Sequence, residues 1–287
     1  MKNSNMLNRR NFVRTGLLGS VALSMANVPA VITAASSSPE RAPDHGLKLG
    51  LTSYTLRKFS LDQAISMTRE AALKYISLKD MHLPMKSTPA ERREVHKKID
   101  AAGLVLMGGG VIYIKNNADD IRAAFDYAKD AGMPTIICSP DPDALDGVEK
   151  AAKQYDLRIA IHNHGPGDQR YPSPLDVLRL VKDRDERMGL CIDVGHTVRL
   201  GEEPVSVIER CASRLYDFHM KDVTAATANG KAIEVGKGVI DIPAVLKALI
   251  RVKYSHHVAL EYEANADDPM PGVKGSIAYM RRVLAQM

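Results

Sequence analysis

Five segments of this 287-residue chain end in side chains that bind metals or move protons. Lys79, Asp80 and His82 close one apolar run, and His162 and His164 close another. Asp193 ends a third and is followed by Gly195-His196. Asp217, His219 and Lys221 alternate through a fourth, and Glu261 and Glu263 through a fifth. The residues between them are largely apolar (Ile161, Phe218, Met220, Leu260), so in strands the polar groups two apart share one face. Imidazoles and carboxylates converging on one point suit Zn, Mn, Fe or Co better than a hard, all-oxygen ion. A single such histidine reads better as a hydrogen-bonded strand end. Four groups on consecutive strands at equivalent depth point to one divalent ion, held by His162, Asp193, His219 and Glu261.

Convergence of this kind needs a scaffold, and the rest of the chain supplies one. Short apolar runs read as strands at 48–54, 75–80, 104–110, 134–139, 157–164, 188–194, 214–222 and 256–263. Between them lie stretches of helical period, among them 61–74, 89–103, 117–132 and 243–254. Ser60 and Ser87 are expected to cap helices, and Gly103 and Gly132 to end them. Eight strands alternating with eight helices over about 240 residues predict a single (β/α)8 TIM barrel, an α/β fold with a parallel eight-stranded barrel spanning residues 47–287. An open doubly wound sheet is the alternative, but no GxGxxG follows the first strand. In a barrel, chemistry sits at the C-terminal strand ends, where the polar groups above fall. His256 and His257 start the last strand, at the opposite end, and read as structural. Gly236 and Gly238 read as shaping a loop near the mouth.

The N-terminus reads as targeting rather than fold. Arg9 and Arg10 precede an apolar run and small residues, which predicts a twin-arginine-type signal peptide over 1–35, a linker over 36–46 and a periplasmic mature chain. Lys2, Arg9, Arg10 and Arg14 are the charged residues of that segment; without them 35 basic side chains face 34 acidic ones. That near-neutral balance argues against nucleic acid as a partner. No later segment is apolar enough for a membrane span. Cys138, Cys191 and Cys211, an odd number, read as small buried groups rather than a disulfide framework.

The segments GLTSYTLR (50–57), IHNHG (161–165), IDVGHT (192–197), HMKD (219–222), VGKGVID (235–241) and LEYE (260–263) resemble, in order, those of the xylose-isomerase-like TIM barrels, broadly sugar phosphate isomerases and epimerases. The resemblance implies one divalent ion at the barrel mouth, with Mn, Co or Zn expected, and ligands from strands five to eight. Asp193, His219 and Glu261 carry over by motif, and His196 as a substrate or supporting contact. Where the family commonly reads Glu-Asn-His, this chain reads His162-Asn163-His164. Two-base epimerisation uses a glutamate at that position, and a coordinated imidazole is hardly available as a base. His164 or Glu261 is then left to act as a single base.

Three readings follow. The first is a metal-dependent carbohydrate isomerase or epimerase working by enolisation, and the second a lyase or dehydratase acting on a 3-keto sugar or keto-glycoside through the same enolate. The third, a non-catalytic periplasmic carbohydrate binder, sits poorly with a chain that has no Trp. Lys221 is expected as a cation or proton donor near the oxyanion, or else in a salt bridge with Asp222 or Asp217. Lys79 is expected at the substrate or paired with Asp80. His82 and Glu263 are expected as substrate contacts, Glu263 alternatively orienting a ligand. A homo-oligomer is compatible with all three readings.

Overall fold

Strands with no exposed position, such as Thr135–Pro140 and Met188–Asp193, need covering on both faces. A ring of parallel strands with helices outside provides it. The structure, a computed structural model, describes residues 44–287; the expected signal peptide and nearly all of the expected linker lie outside the described residues. The strands are β1 Lys48–Thr52, β2 Tyr75–Leu78, β3 Val105–Ile114, β4 Thr135–Pro140, β5 Arg158–His162, β6 Met188–Asp193, β7 Leu215–Met220, β8 Asp222–Val223, β9 Ala232–Ile233 and β10 His257–Leu260. The helices are α1 Leu61–Glu70, α2 Pro89–Ala101, α3 Ala118–Asp130, α4 Leu145–Tyr155, α5 Pro174–Val181, α6 Val194–Arg199, α7 Pro204–Cys211, α8 Ile242–Arg251 and α9 Met270–Leu284.

Eight strands close a barrel in the order β1-β10-β7-β6-β5-β4-β3-β2, while β8 and β9 form a small antiparallel ribbon beside it. The expected TIM barrel is therefore the fold. The described residues hold nine α-helices rather than eight, because the six-residue α6 starts directly from the end of β6. Most of the apolar core packs the strands against the helices. Ile137, Ala160 and Cys191 form a small separate cluster facing the barrel interior, on the parity that carries His162 and Asp193 at the mouth. All three cysteines are buried and free. Among the described residues no helix is long and apolar enough to cross a membrane.

Local chemistry sets the boundaries. Ser60 caps α1 in a reciprocal capping box with Gln63. Thr88, not Ser87, caps α2, because Pro89 takes the first helical position and Glu91 closes the box on Thr88. The Ser87 hydroxyl instead accepts from Arg92 Nε at 3.3 Å. Gly103 and Gly132 follow their helices with φ of +73° and +67°. β3 runs four residues past its expected end, through Gly108-Gly109-Gly110. A Cβ at Gly108 would stand 2.8 Å from Thr135 O, so the glycines let β3 approach β4 closely.

Candidate metal centre at the barrel mouth

The closed ring brings the ends of β5, β6, β7 and β10 side by side. His162 and Asp193 end β5 and β6, and His219 is paired in register with Asp193. Glu261 follows β10 and continues its ladder, donating its amide to Met220 O at 2.9 Å. The four side chains are buried, and one donor atom from each lies within 4.8 Å of every other. His162 Nε2 is 3.1 Å from His219 Nδ1 and 3.8 Å from Asp193 Oδ2, and His219 Nδ1 is 3.4 Å from Glu261 Oε2.

Three of the four donors have a second contact, while Nδ1 of the fourth, His162, is buried without a hydrogen-bond partner. Asp193 Oδ1 caps α6 by accepting from His196 N at 2.9 Å, which leaves Oδ2 for the site. Asn163 Oδ1 accepts from Asp193 N at 2.8 Å. Thr52 Oγ1 donates to Glu261 Oε1 at 3.4 Å. His219 turns Nδ1 to the cluster and Nε2 to buried Asp217, 3.5 Å away. A carboxylate behind a ligating imidazole fixes which nitrogen faces the ion.

Lys221 Nζ lies between the two acids of the set, 2.9 Å from Asp193 Oδ2 and 3.0 Å from Glu261 Oε2, with Glu263 Oε1 at 2.9 Å. Its partners are these three acids, not Asp217 or Asp222. Gly195 makes room for it, since a Cβ there would stand 2.8 Å from Lys221 Cδ.

The electrostatics ready three of the four donors for an ion. Burial opposes charge on the fourth, His219, but Glu261 and Asp217 outweigh it and hold the imidazole above its ordinary value, so an ion binding there would displace a proton. Burial pushes His162 well below its ordinary value, reinforced by the neighbouring His219 and His164, so its lone pair is free at neutral pH. Burial would raise Glu261, but Lys221 and His219 outweigh it and hold the carboxyl well below its ordinary value. Asp193 is lowered against the same burial, by His196 and Lys221. Burial opposes charge on Lys221, yet Asp193, Glu261 and Glu263 hold it well above its ordinary value. Two imidazoles and two ionised carboxylates on four neighbouring strands fit a divalent ion of the Mn, Co or Zn kind.

The other expected residues divide. His164 is at the mouth, its ring centroid 4.6 Å from that of His162 and its side chain 22 % exposed. His196 Nε2 reaches to 3.8 Å from Asp193 Oδ2, and Glu263 meets the cluster through Lys221. Lys79 Nζ lies 5.0 Å from the centroid of the Tyr54 ring rather than against Asp80, whose Oδ1 accepts from Met85 N. His82, expected as a substrate contact, has both ring nitrogens engaged within the protein. It is buried, with Nδ1 2.9 Å from Ser53 Oγ and Nε2 3.0 Å from Phe59 O, so both ring nitrogens are spent on packing the loop after β2.

Sequence reasoning missed Asp168, whose Oδ2 lies 3.2 Å from His164 Nδ1. It also missed Tyr113, 63 % exposed and stacked on His164 at 6.2 Å. Asp168 had a readable signal, four residues after His164 across Gly165-Pro166-Gly167. Tyr113 had none, since β3 was expected to end before it.

A family model described as a xylose isomerase-like TIM barrel matches residues 65–283. An inosose dehydratase from Lacticaseibacillus casei is 23 % identical over 175 residues, covering 55 % of this chain and 58 % of the relative. The chain thus spans little more than half the length of that curated relative. A solved L-ribulose 3-epimerase shares the fold with a TM-score of 0.69 at 15 % identity, over 84 % of this chain and 95 % of the other. A 3-keto-D-glucoside 4-epimerase from E. coli, solved in its apo form, does so with a TM-score of 0.68 at 15 % identity, over 82 % and 99 %. With a match that runs from α1 into α9 and a closed parallel barrel beneath it, this chain belongs to the xylose isomerase-like TIM barrel family.

Proposed function

We propose that the protein is a metal-dependent lyase or dehydratase that enolises a keto-carbohydrate and expels an oxygen substituent β to the carbonyl. The observation that carries this reading is one-sidedness. Two-base epimerisation needs a proton acceptor on each face of the reacting carbon. Here Glu261 is engaged by Lys221 and His219, and the end of β5 offers His162 to the ion instead of a glutamate. His164 is left as the partly exposed acceptor of the group. The similarity to an inosose dehydratase supports the same reaction class.

His162, Asp193, His219 and Glu261 would hold the ion, which when bound supplies Lewis-acid polarisation of a carbonyl oxygen. His164 Nε2 takes the proton from the carbon beside the carbonyl, and the C–H electron pair becomes the enolate double bond. As the carbonyl re-forms, that pair shifts to a new carbon–carbon double bond and the C–O bond at the β carbon breaks. The leaving oxygen takes the proton from the His164 imidazolium and departs as water or an alcohol. One imidazole therefore serves both half-steps. Lys221 keeps Asp193 and Glu261 ionised and aimed rather than donating a proton. Reprotonation of the enolate would instead give the isomerase or epimerase outcome.

We further assign the mature chain to the periplasm, on the twin-arginine-type signal read in its sequence. There free keto-sugars and keto-glycosides are more accessible than sugar phosphates.

The test pairs metal analysis of the wild type, His162→Ala and Asp193→Ala with incubation on 3-keto sugars and 3-keto-glycosides in deuterium oxide. Near-stoichiometric metal lost in both variants, with released aglycone or water and an unsaturated ketone, is expected. No metal uptake would sink the enolisation reading. Metal uptake with an epimer as the sole product would replace the lyase by an epimerase.

A further inference from the structure

The loop after β5 does more than connect it to α5. His164 N donates to Tyr171 O at 3.0 Å and Gly165 N to Pro172 O at 3.0 Å, which folds residues 165–172 back beside the His164 ring. Within that fold Asp168 is pinned. Its Oδ1 accepts from Arg170 N at 2.6 Å and Tyr171 N at 2.9 Å. Its Oδ2 is thereby presented to His164 Nδ1 at 3.2 Å. That nitrogen is closed off from solvent and makes no aligned hydrogen bond, so the carboxylate is the acceptor at hand for an Nδ1–H. Tyr113 covers one face of the ring, with 17° between the planes.

We infer that Asp168 is a positioning residue that fixes His164 in its Nδ1–H tautomer, so that the Nε2 lone pair is turned to the barrel mouth as the base. The inference rests on the base role of His164 given above, and it adds a residue that neither motif nor family likeness supplied. Free neutral imidazole carries its proton on either nitrogen; a carboxylate at one nitrogen selects the tautomer. A base whose orientation is set by a third group is the recurring arrangement of nucleophile and proton-transfer sites on unrelated folds.

The two oxygens of Asp168 have different partners, and this makes the test sharp. In Asp168→Asn the carbonyl oxygen keeps the two backbone amides of Arg170 and Tyr171. The side-chain NH2 then faces His164 Nδ1 and donates to it. The loop stays in place, but the proton must move to Nε2, where it removes the lone pair the reaction needs.

The experiment is long-range 1H–15N correlation NMR on the full chain labelled in its histidines, metal-free at neutral pH, with His164→Gln identifying the signal. In the wild type, Nε2 of His164 is expected to read as the unprotonated nitrogen. In Asp168→Asn it is expected to read as protonated, with an unchanged melting temperature. On a turned-over keto-sugar the same variant should lose about 10²- to 10⁴-fold in kcat with little change in KM. Asp168→Glu, which keeps a carboxylate, should restore the Nδ1–H form. A wild type already protonated on Nε2, or a tautomer that Asp168→Asn leaves unmoved, would overturn the inference. Failure of the enolisation reading is separate: it would show as absent metal uptake while the tautomer pattern persisted.

Discussion

Lys221 is the buried cation on which the acids of the mouth depend, and replacing it with methionine isolates its contribution. The substitution keeps a long apolar stem beside Gly195 and removes the charge 2.9 Å from Asp193 Oδ2 and 3.0 Å from Glu261 Oε2. Both acids have side chains no more than 5 % exposed, so water cannot take the place of the ammonium. Breaking a buried pair on one side costs about 3–5 kcal/mol, since an uncompensated charge is left behind. Glu263 is a third exposed, and its share is left out because solvent screens it. For a domain of this size each kcal/mol moves the melting temperature by about 2–4 °C. A fall of roughly 10 °C is therefore expected in chelator. Excess Mn should recover most of it, because a divalent ion between the same carboxylates replaces the lost charge. The gain on adding Mn should be larger in the variant than in the wild type, where Lys221 opposes the ion. Thermal melts of both proteins, with chelator and with Mn, decide the matter. A variant melting within about 2 °C of the wild type in chelator would refute the argument that Lys221 compensates these acids.

Three further outcomes are expected. Burial raises the Asp217 carboxyl from 3.8 to about 6, so between those values it is protonated in the folded protein and ionised in the unfolded chain. That contributes stability at the acid end which fades as pH rises through the window. Metal-free Asp217→Asn should therefore gain on the wild type by about 1.4 kcal/mol per unit from pH 4 to 6, and a pH-independent difference in denaturant melts would refute it. Gly238→Ala would place a Cβ 2.1 Å from Asp222 Oδ1, and should cost about 1–3 kcal/mol in denaturant melts. His82→Ala should cost about 1–3 kcal/mol by unsatisfying Ser53 and Phe59 O, yet leave metal content unchanged; a loss of metal would contradict its structural role.

The barrel was legible because its signal is repeated eight times: apolar runs of strand length alternate with amphipathic helices. The four-donor cluster was legible for a related reason. Parallel strands in one ring present their C-terminal ends at one level, so a polar residue at the end of each run is a placement and not merely a composition. What escaped the sequence depended on side-chain direction. His82 and His164 are both histidines just past a strand, but only the structure shows the first turned inward onto Ser53 and the second turned to the mouth. The partners of Lys221 escaped for the same reason. Sequence proximity favoured Asp217 and Asp222, whereas barrel closure supplied Asp193 and Glu261 from the neighbouring strands. α6 was missed because six residues are too few for a helical period to show.

Asp222, next to Lys221, takes four backbone amides on its two oxygens: Val223 and Ile240 on Oδ1, Gly236 and Gly238 on Oδ2. A single side chain thus ties both feet of the excursion from 223 to 240 to the end of β7. The excursion behaves as a cassette. Its exposed tip around Thr227–Ala228 can change in length while both feet stay clipped, and it is tied to α6 by Arg199 Nη2, which donates to Ala228 O at 2.7 Å. The feet have no such freedom, because Gly236 sits at a φ of +89° and Gly238 has no space for a side chain. Loop grafts for altered substrate range should therefore be cut beyond the β8–β9 ribbon, between residues 225 and 230, and should keep an acceptor for Arg199, which also stands 3.4 Å from His196 Nδ1.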